Sequence, residues 1–314
     1  MALFDIIIAT YNNLDELKSC LAGFEAQTVR DFRLLICVDG STDGTLAYLS
    51  KTSYPFGFKI LTHADGKRKG RNPARNLSLG HITSKYLVMF DSDIRPAPDL
   101  LEKHLALLKS KKCVSLGDVM YTDSATNDLS DYLQHRGKNK YKNGDEIPAH
   151  YLITQNVAFE SQYFIQIHGQ DGSMVTYGGG DTEFAYRLWK TFRLPVIFNT
   201  SAIGYSELNK DLSTYFRQME EFGSINLHYI HKKYPEFTQL FRFDRLISGS
   251  FQNRFLRLFL QPWLAKWSRA IISIVPRSIR RYVIHFLVFY HIYCGYRMAL
   301  KKQSITQPLE GMHS

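Results

Sequence analysis

The chain has 314 residues, enough for one large domain or two modest ones, and its apolar fraction of 45% is typical of a globular protein. A formal net charge of +10 indicates an anionic partner, which could be a phosphorylated substrate, nucleic acid or an anionic membrane. The four cysteines stand at positions 20, 37, 113 and 294 without C-x-x-C spacing, which excludes a zinc site and a disulfide scaffold. No basic segment precedes the first predicted strand, so we expect no signal peptide and a cytoplasmic location.

Strands and helices alternate from the N-terminus. Phe4 to Thr10 is apolar and β-rich and predicts a first strand. Apolar residues at helical spacing follow from Leu14 to Phe24, and Asn12 or Asn13 would cap this helix. Further strands are predicted over 34–38, 58–61 and 86–90. The alternation implies a mainly parallel sheet with right-handed crossovers.

In such a sheet, the turns that follow neighbouring strands emerge at one edge. The Thr10–Tyr11 turn, the loop from Asp39 and the Asp91–Asp93 turn should therefore lie together. Ligands of open α/β sheets bind outside the carboxyl ends of the strands, so we expect a nucleotide site there.

The stretch Tyr86-Leu-Val-Met-Phe-Asp-Ser-Asp93 runs from a predicted buried strand into two carboxylates. Two carboxylates at a strand end repel each other unless a cation lies between them, and oxygen ligands suit Mg²⁺ or Mn²⁺. Asp-Ser-Asp is also ordinary turn chemistry, so these three residues alone leave a metal site and a plain turn open.

Two further segments carry glycines beside charged residues. Residues 65–76 hold several Lys and Arg ahead of a helix predicted to begin near Asn72, which favours a phosphate site, with a solvated basic loop as the alternative. Residues 177–188 place three glycines directly before Asp181, which would begin a helix with Glu183 in its first turn. Helix capping would explain Asp181, but it would not explain three glycines, which let backbone approach a ligand closely.

Residues 118–150 are polar and irregular, with a basic cluster from Arg136 to Lys142. We predict a loop, and leave open whether it lines an acceptor site or is a mobile surface loop.

From about Arg242 the chain mixes cations with large aromatic residues. Tyr282 to Tyr296 has no Lys, Arg, Asp or Glu, but it is shorter than the roughly 20 residues that span a bilayer. Two interpretations remain open: helices lying in an anionic membrane interface, and a helical subdomain packed on the sheet.

Six short motifs, in this order, resemble those of inverting family-2 glycosyltransferases of the GT-A fold, over Phe4 to about Tyr234. The matching stretches are Ala9-Thr-Tyr-Asn12, Val38 to Asp43, Gly70 to Asn76, Asp91-Ser-Asp93, Asn156-Val-Ala-Phe159 and Gly178 to Glu183.

The resemblance implies an α/β, Rossmann-like nucleotide-diphospho-sugar transferase fold with a mainly parallel central sheet, flanking helices and a helical C-terminal region. It implies a GT-A domain at 1–240, with a donor half at 1–117 and an acceptor half at 118–240, followed by a basic and aromatic region at 241–314. The implied activity is inverting transfer of a hexosyl or N-acetylhexosaminyl group from a nucleotide sugar. UDP is preferred to dTDP, and the acceptor would be a saccharide or lipid-linked oligosaccharide of the bacterial cell surface.

The resemblance also assigns roles. Asp181 is the implied catalytic base, and Asp91 and Asp93 are the implied ligands of Mn²⁺ or Mg²⁺. Asp39 would accept a hydrogen bond from the uracil ring, and Tyr11 would pack on the base. Arg75, with Arg71 or Lys67, would face the phosphates. The full implied donor-binding set is Thr10, Tyr11, Asn12, Asp39, Arg71, Arg75, Asp91, Ser92 and Gly179.

Two departures from the family pattern bear on this assignment. Gly180 stands where the family usually has Glu, and Ser206 stands where many relatives place a metal-binding His. They leave a non-catalytic glycan- or nucleotide-binding relative as an alternative. A nucleotidyltransferase would share the α/β frame and the acidic pair, and a nucleic-acid-binding protein could use the charge and the aromatic, basic C-terminal region, although nucleic acid is not among the expected partners. A processive synthase would need Gln-x-x-Arg-Trp, which Gln239-Leu-Phe-Arg-Phe243 only approaches.

Overall fold

The structure of the protein, a computed structural model, describes residues 2–208, 210–237 and 259–310. The predicted boundary between 240 and 241 lies outside the described residues. So do Gln239–Phe243 and three residues of the predicted basic–aromatic region, Arg254, Phe255 and Arg257.

The strands of the described chain are β1 (Phe4–Thr10), β2 (Phe32–Val38), β3 (Gly57–Thr62), β4 (Tyr86–Asp91), β5 (Ile94–Pro96), β6 (Val114–Tyr121), β7 (Glu146–Ile147), β8 (Asn156–Glu160) and β9 (Val196–Ser206). They form one sheet in the order β3-β2-β1-β4-β8-β6-β9-β5, and β7 pairs with β9. The main helices are α1 (Leu14–Glu25), α2 (Thr45–Lys51), α3 (Arg71–Asn76), α4 (Leu100–Ser110), α5 (Asp128–Gln134), α6 (Ser161–Gln166), α7 (Gly180–Phe192), α8 (Leu212–Phe222), α9 (His228–Lys233), α10 (Pro262–Ile271) and α11 (Arg277–Glu310), with a π-helical segment, Gly223–Leu227, between α8 and α9.

The predicted α/β fold is confirmed, but the sheet is mixed in detail. β3, β2, β1 and β4 run parallel, as expected for strands joined by helical crossovers. β8 then runs antiparallel to both β4 and β6, while β6 and β9 are parallel. β6 and β9 therefore keep the direction of the first four strands, and β8, β5 and β7 run against it.

The predicted loop over 118–150 is wrong in part. β6 continues through Asp118 to Tyr121, and α5 and β7 follow within the same segment. β6 pairs with β9 across a register shift between Gly117 and Asp118, which lets an irregular polar sequence stay in the sheet.

Apolar side chains cover both faces of the parallel strands. Ile6 and Ile8 of β1 belong to one buried cluster, while Ile7 and Leu35 belong to another on the opposite face. Successive residues of a strand point to opposite faces, so a strand buried on both sides needs the continuous apolar runs present here. Such burial holds the carboxyl ends of β1, β2 and β4 in a fixed position.

The chain divides into two compact units. The first comprises Met1–Ser124, Leu133–Val175 and Gly180–Leu208 and contains the sheet. The second comprises Ala125–Tyr132, Thr176–Gly179 and Asn209–Ser314 and is helical in its described part.

Within the second unit, α11 is long and apolar enough from Arg277 to Lys301 to cross a membrane by length and composition, although half of its apolar window is buried inside the structure. From the sequence we expect no membrane-spanning segment, because the charge-free run from Tyr282 to Tyr296 is too short. Core helices of soluble proteins can have the same length and composition, so this helix alone does not distinguish a membrane-spanning helix from a core helix.

Candidate functional site

The carboxyl ends of three parallel strands meet at one edge of the sheet, as the sequence predicted. In the register of the sheet, Thr10 pairs with Val38, and Ala9 pairs with Asp91. The loop that begins at Asp39 and the turn from Asp91 to Asp93 therefore flank the end of β1 on its two sides. Acidic and hydroxyl groups from distant parts of the sequence lie at one sheet edge.

The segment after β1 is fixed by its asparagines. Asn13 accepts a hydrogen bond from Thr10 Oγ1 at 2.5 Å and donates one to Ser92 Oγ at 2.7 Å, so it joins the ends of β1 and β4. Asn12 accepts from the backbone N–H of Thr42 at 2.7 Å. Asn13 stands at the N-cap position of α1, as predicted, but its side chain makes no capping hydrogen bond. The Asp43 carboxylate accepts the Leu14 N–H at 2.9 Å instead.

Asp39 lies buried beside the basic loop. Its carboxylate accepts the backbone N–H groups of Lys69 at 2.7 Å and Gly70 at 2.9 Å, and His63 Nε2 lies 3.2 Å away. Gly70 has a φ of +102°, and a Cβ there would lie 2.8 Å from a carbonyl oxygen, so glycine is needed for this approach. Asp39 therefore shapes the basic loop, in addition to any role toward a base.

The basic loop brings a cation over the predicted base-stacking residue. The guanidinium of Arg68 lies 4.2 Å from the centre of the Tyr11 ring. Tyr11 is exposed, and the Arg68 side chain is 61% exposed. The aromatic face and the positive charge are thus both accessible at the sheet edge.

Arg75 differs from its predicted role. Its side chain is fully buried, and Nη2 donates to Asp91 Oδ1 at 2.5 Å. Nη1 donates to Thr154 Oγ1 at 2.6 Å and lies 3.8 Å from Asp181 Oδ1. A side chain enclosed in this way supports the site from beneath, so we correct the expectation that it faces phosphates.

Asp181 lies in the first turn of α7, as predicted, and its side chain is 30% exposed. One oxygen accepts a hydrogen bond from Thr154 Oγ1, which itself accepts from Arg75. The neighbouring acid Glu183 is buried and pairs with Arg187 Nε at 2.8 Å. Of the two acids at this helix start, Asp181 is the one that is open to an incoming hydroxyl.

The two carboxylates of the Asp91–Asp93 turn have different surroundings. Asp91 is largely buried between Arg75 and Arg71, whose Nη1 lies 3.4 Å from Oδ2, while Asp93 is exposed. Beneath them, burial and then the charges of Asp93 and Asp91 raise the pKa of the Cys20 thiol well above its usual value. The thiol therefore stays neutral.

A divalent cation fits this turn only in part through protein ligands. No group of three or more His, Cys, Asp or Glu that could hold a metal ion occurs in the described part of the chain. Ser206 does lie beside the turn, where its Oγ donates to the backbone carbonyl of Asp93 at 3.2 Å. Mg²⁺ and Mn²⁺ are often held by one or two carboxylates plus phosphates and water, so Asp91 and Asp93 fit a cation that arrives with a diphosphate.

The glycines before Asp181 have packing reasons. Gly178 and Gly179 have φ values of +86° and +80°, and a Cβ on Gly179 would lie 2.7 Å from the Phe222 ring. A Cβ on Gly180 would lie 2.9 Å from the amide of Asn72, which occupies the space that a Glu side chain would enter. The departure at Gly180 is thus matched by Asn72.

Sequence reasoning missed three residues of this site: Asn13, His63 and Thr154. Thr154 precedes β8, whose antiparallel pairing places Asn156 opposite Phe90 and brings the Gln155 carbonyl to the Asp91 N–H. A search for hydroxyl and amide residues just before the Asn-x-Ala-Phe strand would have included Thr154.

Comparison with solved structures defines the fold class. A mannosyltransferase from Pyrobaculum calidifontis, in complex with GDP-Man and Mn²⁺, superposes with a TM-score of 0.61 at 15% identity, over 93% of this chain and 87% of that one. Staphylococcus aureus TarS 1–349, in complex with UDP-GlcNAc, superposes with a TM-score of 0.54 at 13% identity, over 96% and 91%. These likenesses confirm the predicted GT-A fold.

The chain belongs to glycosyl transferase family 2, whose family model matches residues 5–168. Escherichia coli chondroitin synthase is 24% identical over 219 residues, which are 59% of this chain and 32% of that protein. The E. coli UDP-Glc:alpha-D-GlcNAc-diphosphoundecaprenol beta-1,3-glucosyltransferase WfaP is 32% identical over 93 residues, 30% of this chain and 36% of that protein. The matched regions cover about a third of these curated relatives. The predicted family is confirmed.

Proposed function

We propose that the protein transfers a hexosyl or N-acetylhexosaminyl group, with inversion, from a nucleoside diphosphate sugar to a saccharide or lipid-linked oligosaccharide. The observation that carries this proposal is the chain of contacts from Asp91 through Arg75 and Thr154 to Asp181. It places a partly exposed carboxylate near an acidic strand end, within one polar network. An acceptor base and a diphosphate site need this proximity.

The donor would bind over the sheet edge. Tyr11 would stack on the base, with UDP as the preferred nucleotide, and Asp39 would accept from the ring N–H. Asp39 already accepts two backbone N–H groups, but a carboxylate has about four lone-pair sites, which leaves room for a further donor. Thr10, Asn12, Ser92 and Gly179 complete the proposed donor-binding set.

The diphosphate needs positive charge as it leaves. Because Arg75 is enclosed, we assign this role to the exposed Arg71 and Arg68, together with the cation held by Asp91 and Asp93. A bound Mn²⁺ or Mg²⁺ would supply Lewis-acid stabilisation of the developing charge. Mn²⁺ in the Pyrobaculum calidifontis mannosyltransferase complex supports this use of metal.

Asp181 would act as the base. An acceptor hydroxyl is a weak nucleophile, and a carboxylate within hydrogen-bond reach removes its proton as the new bond forms. Arg75 and Thr154 hold Asp181 Oδ1, which leaves the other oxygen to receive that proton. Direct displacement with a single base inverts the anomeric centre.

The physiological setting follows from the relatives. A chondroitin synthase, a glucosyltransferase named for a GlcNAc-diphosphoundecaprenol acceptor and a teichoic acid polymerase are bacterial proteins similar to this chain. We therefore propose a role in bacterial cell-surface polysaccharide or glycolipid synthesis, in the cytoplasm or at the inner face of the plasma membrane.

A screen of sugar nucleotides for hydrolysis and transfer, with Mn²⁺ and with chelator, tests the proposal. We expect turnover of one UDP-sugar that depends on the metal. Tight UDP-sugar binding without turnover would favour a non-catalytic relative. Release of pyrophosphate from a nucleoside triphosphate would identify a nucleotidyltransferase instead.

A further inference from the structure

The most exposed large apolar side chains of the described residues are concentrated in one short stretch. Ile274 is 79% exposed, Tyr282 78%, Trp263 68% and Trp267 59%, and other large apolar residues in the described chain are less exposed than these four. All four fall between α10 and the first turns of α11. We call α10, the turn after it and the first two turns of α11 the aromatic hairpin (residues 262–284).

The hairpin is built as an amphipathic element. Trp263 and Trp267 are four residues apart on α10, so they lie on the same side of the helix. Ala265 and Ser268 are buried on the other side. Pro276 ends the turn and starts α11 at Arg277, which leaves Ile274 at the tip. On α10 the tryptophans are thus turned outward while Ala265 and Ser268 are buried, the reverse of a core helix.

The Lys, Arg, Asp and Glu residues of this part of the chain are likewise one-sided, because all of them are cations. Between Phe259 and Lys301 the sequence has no Asp or Glu. Its cations are Lys266, Arg269, Arg277, Arg280, Arg281, Arg297 and Lys301.

Several of these cations already form ion pairs within the protein, so fewer of them can contact a partner. Arg280 and Arg281 form ion pairs with Asp128 and Asp131 at 2.7 and 2.6 Å, and Arg277 Nε lies 3.7 Å from Asp131. The expectation that all three meet anionic lipid therefore needs revision. Arg269 contacts His291, whose Nδ1 lies 2.9 Å from Glu220, so Lys266 is the cation of α10 that is exposed beside the two tryptophans.

Two partners could cover such a face: a bilayer and a second copy of the chain. A two-fold interface puts the same patch on both subunits, so Lys266 of each copy would meet a segment that has no Asp or Glu between Phe259 and Lys301 to compensate its charge. A bilayer surface has the complementary character, because Trp and Tyr favour the headgroup region and cations favour anionic lipid. Charge complementarity therefore selects the bilayer.

We propose that the aromatic hairpin docks the protein onto an anionic lipid bilayer, with Trp263, Trp267, Ile274 and Tyr282 entering the interfacial region. Apolar insertion supplies most of the binding, since the three arginines of α11 are already paired. The inference is independent of the proposed transferase activity, because vesicle binding needs neither donor nor acceptor.

The test is co-sedimentation of the full chain with vesicles of phosphatidylcholine, with and without phosphatidylglycerol, at low and high salt. Trp263→Ala with Trp267→Ala should lower the partition coefficient at least about tenfold. Leu46→Ala with Ile165→Ala, two exposed apolar residues in other helices, is the matched control and should change it less than about twofold. Raising the salt should weaken binding less than the double tryptophan substitution does.

Fluorescence gives a second readout. The chain has three tryptophans, and Trp189 is the one outside the hairpin. Anionic vesicles should shift the emission of the wild-type protein to shorter wavelength, and Trp263→Phe with Trp267→Phe should remove this shift.

Three outcomes would overturn the inference. The wild-type protein could stay in the supernatant with anionic vesicles, or the tryptophan variant could bind as the wild type does. A dimer that the tryptophan substitutions dissociate, without any vesicle binding, would show that a second copy covers the hairpin. Circular dichroism would confirm that the variants are folded.

Discussion

Arginine meets aspartate in two clusters of this protein, and their charge balance differs. In the sheet-bearing unit, the buried Arg75 lies between two carboxylates, Asp91 and Asp181. In the helical unit, three arginines lie beside two carboxylates. Asp128 accepts two hydrogen bonds from Arg280, and Asp131 accepts two from Arg281. Arg71 also lies 3.4 Å from Asp91, so the first cluster is balanced, and its partly exposed Asp181 keeps one oxygen for a ligand. The excess of arginine in the second cluster joins α5 to α11 and is structural.

Asp181→Asn should give the largest effect. The amide cannot take the acceptor proton, and general base catalysis typically contributes about 10²–10⁴-fold, so kcat should fall by that factor. Nucleotide affinity, measured by calorimetry with UDP, should change little because the proposed base acts on the acceptor hydroxyl and not on the nucleotide. A parallel loss of UDP affinity would show that Asp181 belongs to the donor site or holds the fold together.

Replacing one arginine in each cluster tests whether the buried pair contributes more to the free energy of unfolding than the partly exposed one. Arg75→Met leaves Asp91 and Asp181 without their buried partner, and breaking a buried pair costs about 3–5 kcal/mol of the free energy of unfolding. Arg281→Met is the matched control; its side chain is 33% exposed, and the buried Asp131 keeps Arg277 at 3.7 Å, so the loss should be smaller, about 1 kcal/mol. Urea unfolding measures both values, and similar losses for the two variants would contradict the distinction.

Substitutions of Asp91 and Asp93, the two proposed metal ligands, should affect stability and metal dependence to different degrees. Asp93→Asn changes an exposed carboxylate, so it should raise the Mn²⁺ concentration for half-maximal activity by at least about tenfold while unfolding stays within about 0.5 kcal/mol of wild type. Asp91→Asn should also lower stability, because it leaves Arg75 with a weaker partner. If both variants have the same stability and metal response, the turn acts as one symmetric site.

The smallest effect concerns the coupling within the helical cluster. A double-mutant cycle of Asp131→Asn and Arg281→Met should give a coupling free energy of about 1 kcal/mol, because the pair is partly screened by solvent. Transfer activity should be unchanged in both single variants. A fall in activity would mean that this cluster contributes to catalysis as well as to folding.

Site residues differ in how far local sequence predicts them. Asp39 and Asp91 follow apolar runs that are buried on both faces, and parallel strands with helical crossovers must deliver them to the same edge. Thr154 follows no such rule. Its place depends on β8 running against β4, and local pattern carries no sign of strand direction.

Arg75 shows that local sequence does not predict whether a charged side chain is buried. Basic residues before a helix suggest a phosphate site, and its exposed neighbours Arg68 and Arg71 keep that proposed role. Arg75 is enclosed because Thr154 and Gln170, about 80 and 95 positions away, pack around its guanidinium. Burial depends on what packs against a side chain, which spacing does not reveal.

The sequence by itself determined the α/β frame and the meeting of Thr10, Asp39 and Asp91, because strand burial and crossover handedness follow from local pattern. Its six motifs indicated the family by resemblance. The tertiary structure alone decided which charges are paired. Arg280 and Arg281 reach Asp128 and Asp131 across about 150 residues, and Arg75 links Asp91 to Asp181 across the sheet edge. Ion pairing depends on distances of a few ångströms between groups far apart in the chain, and folding sets those distances.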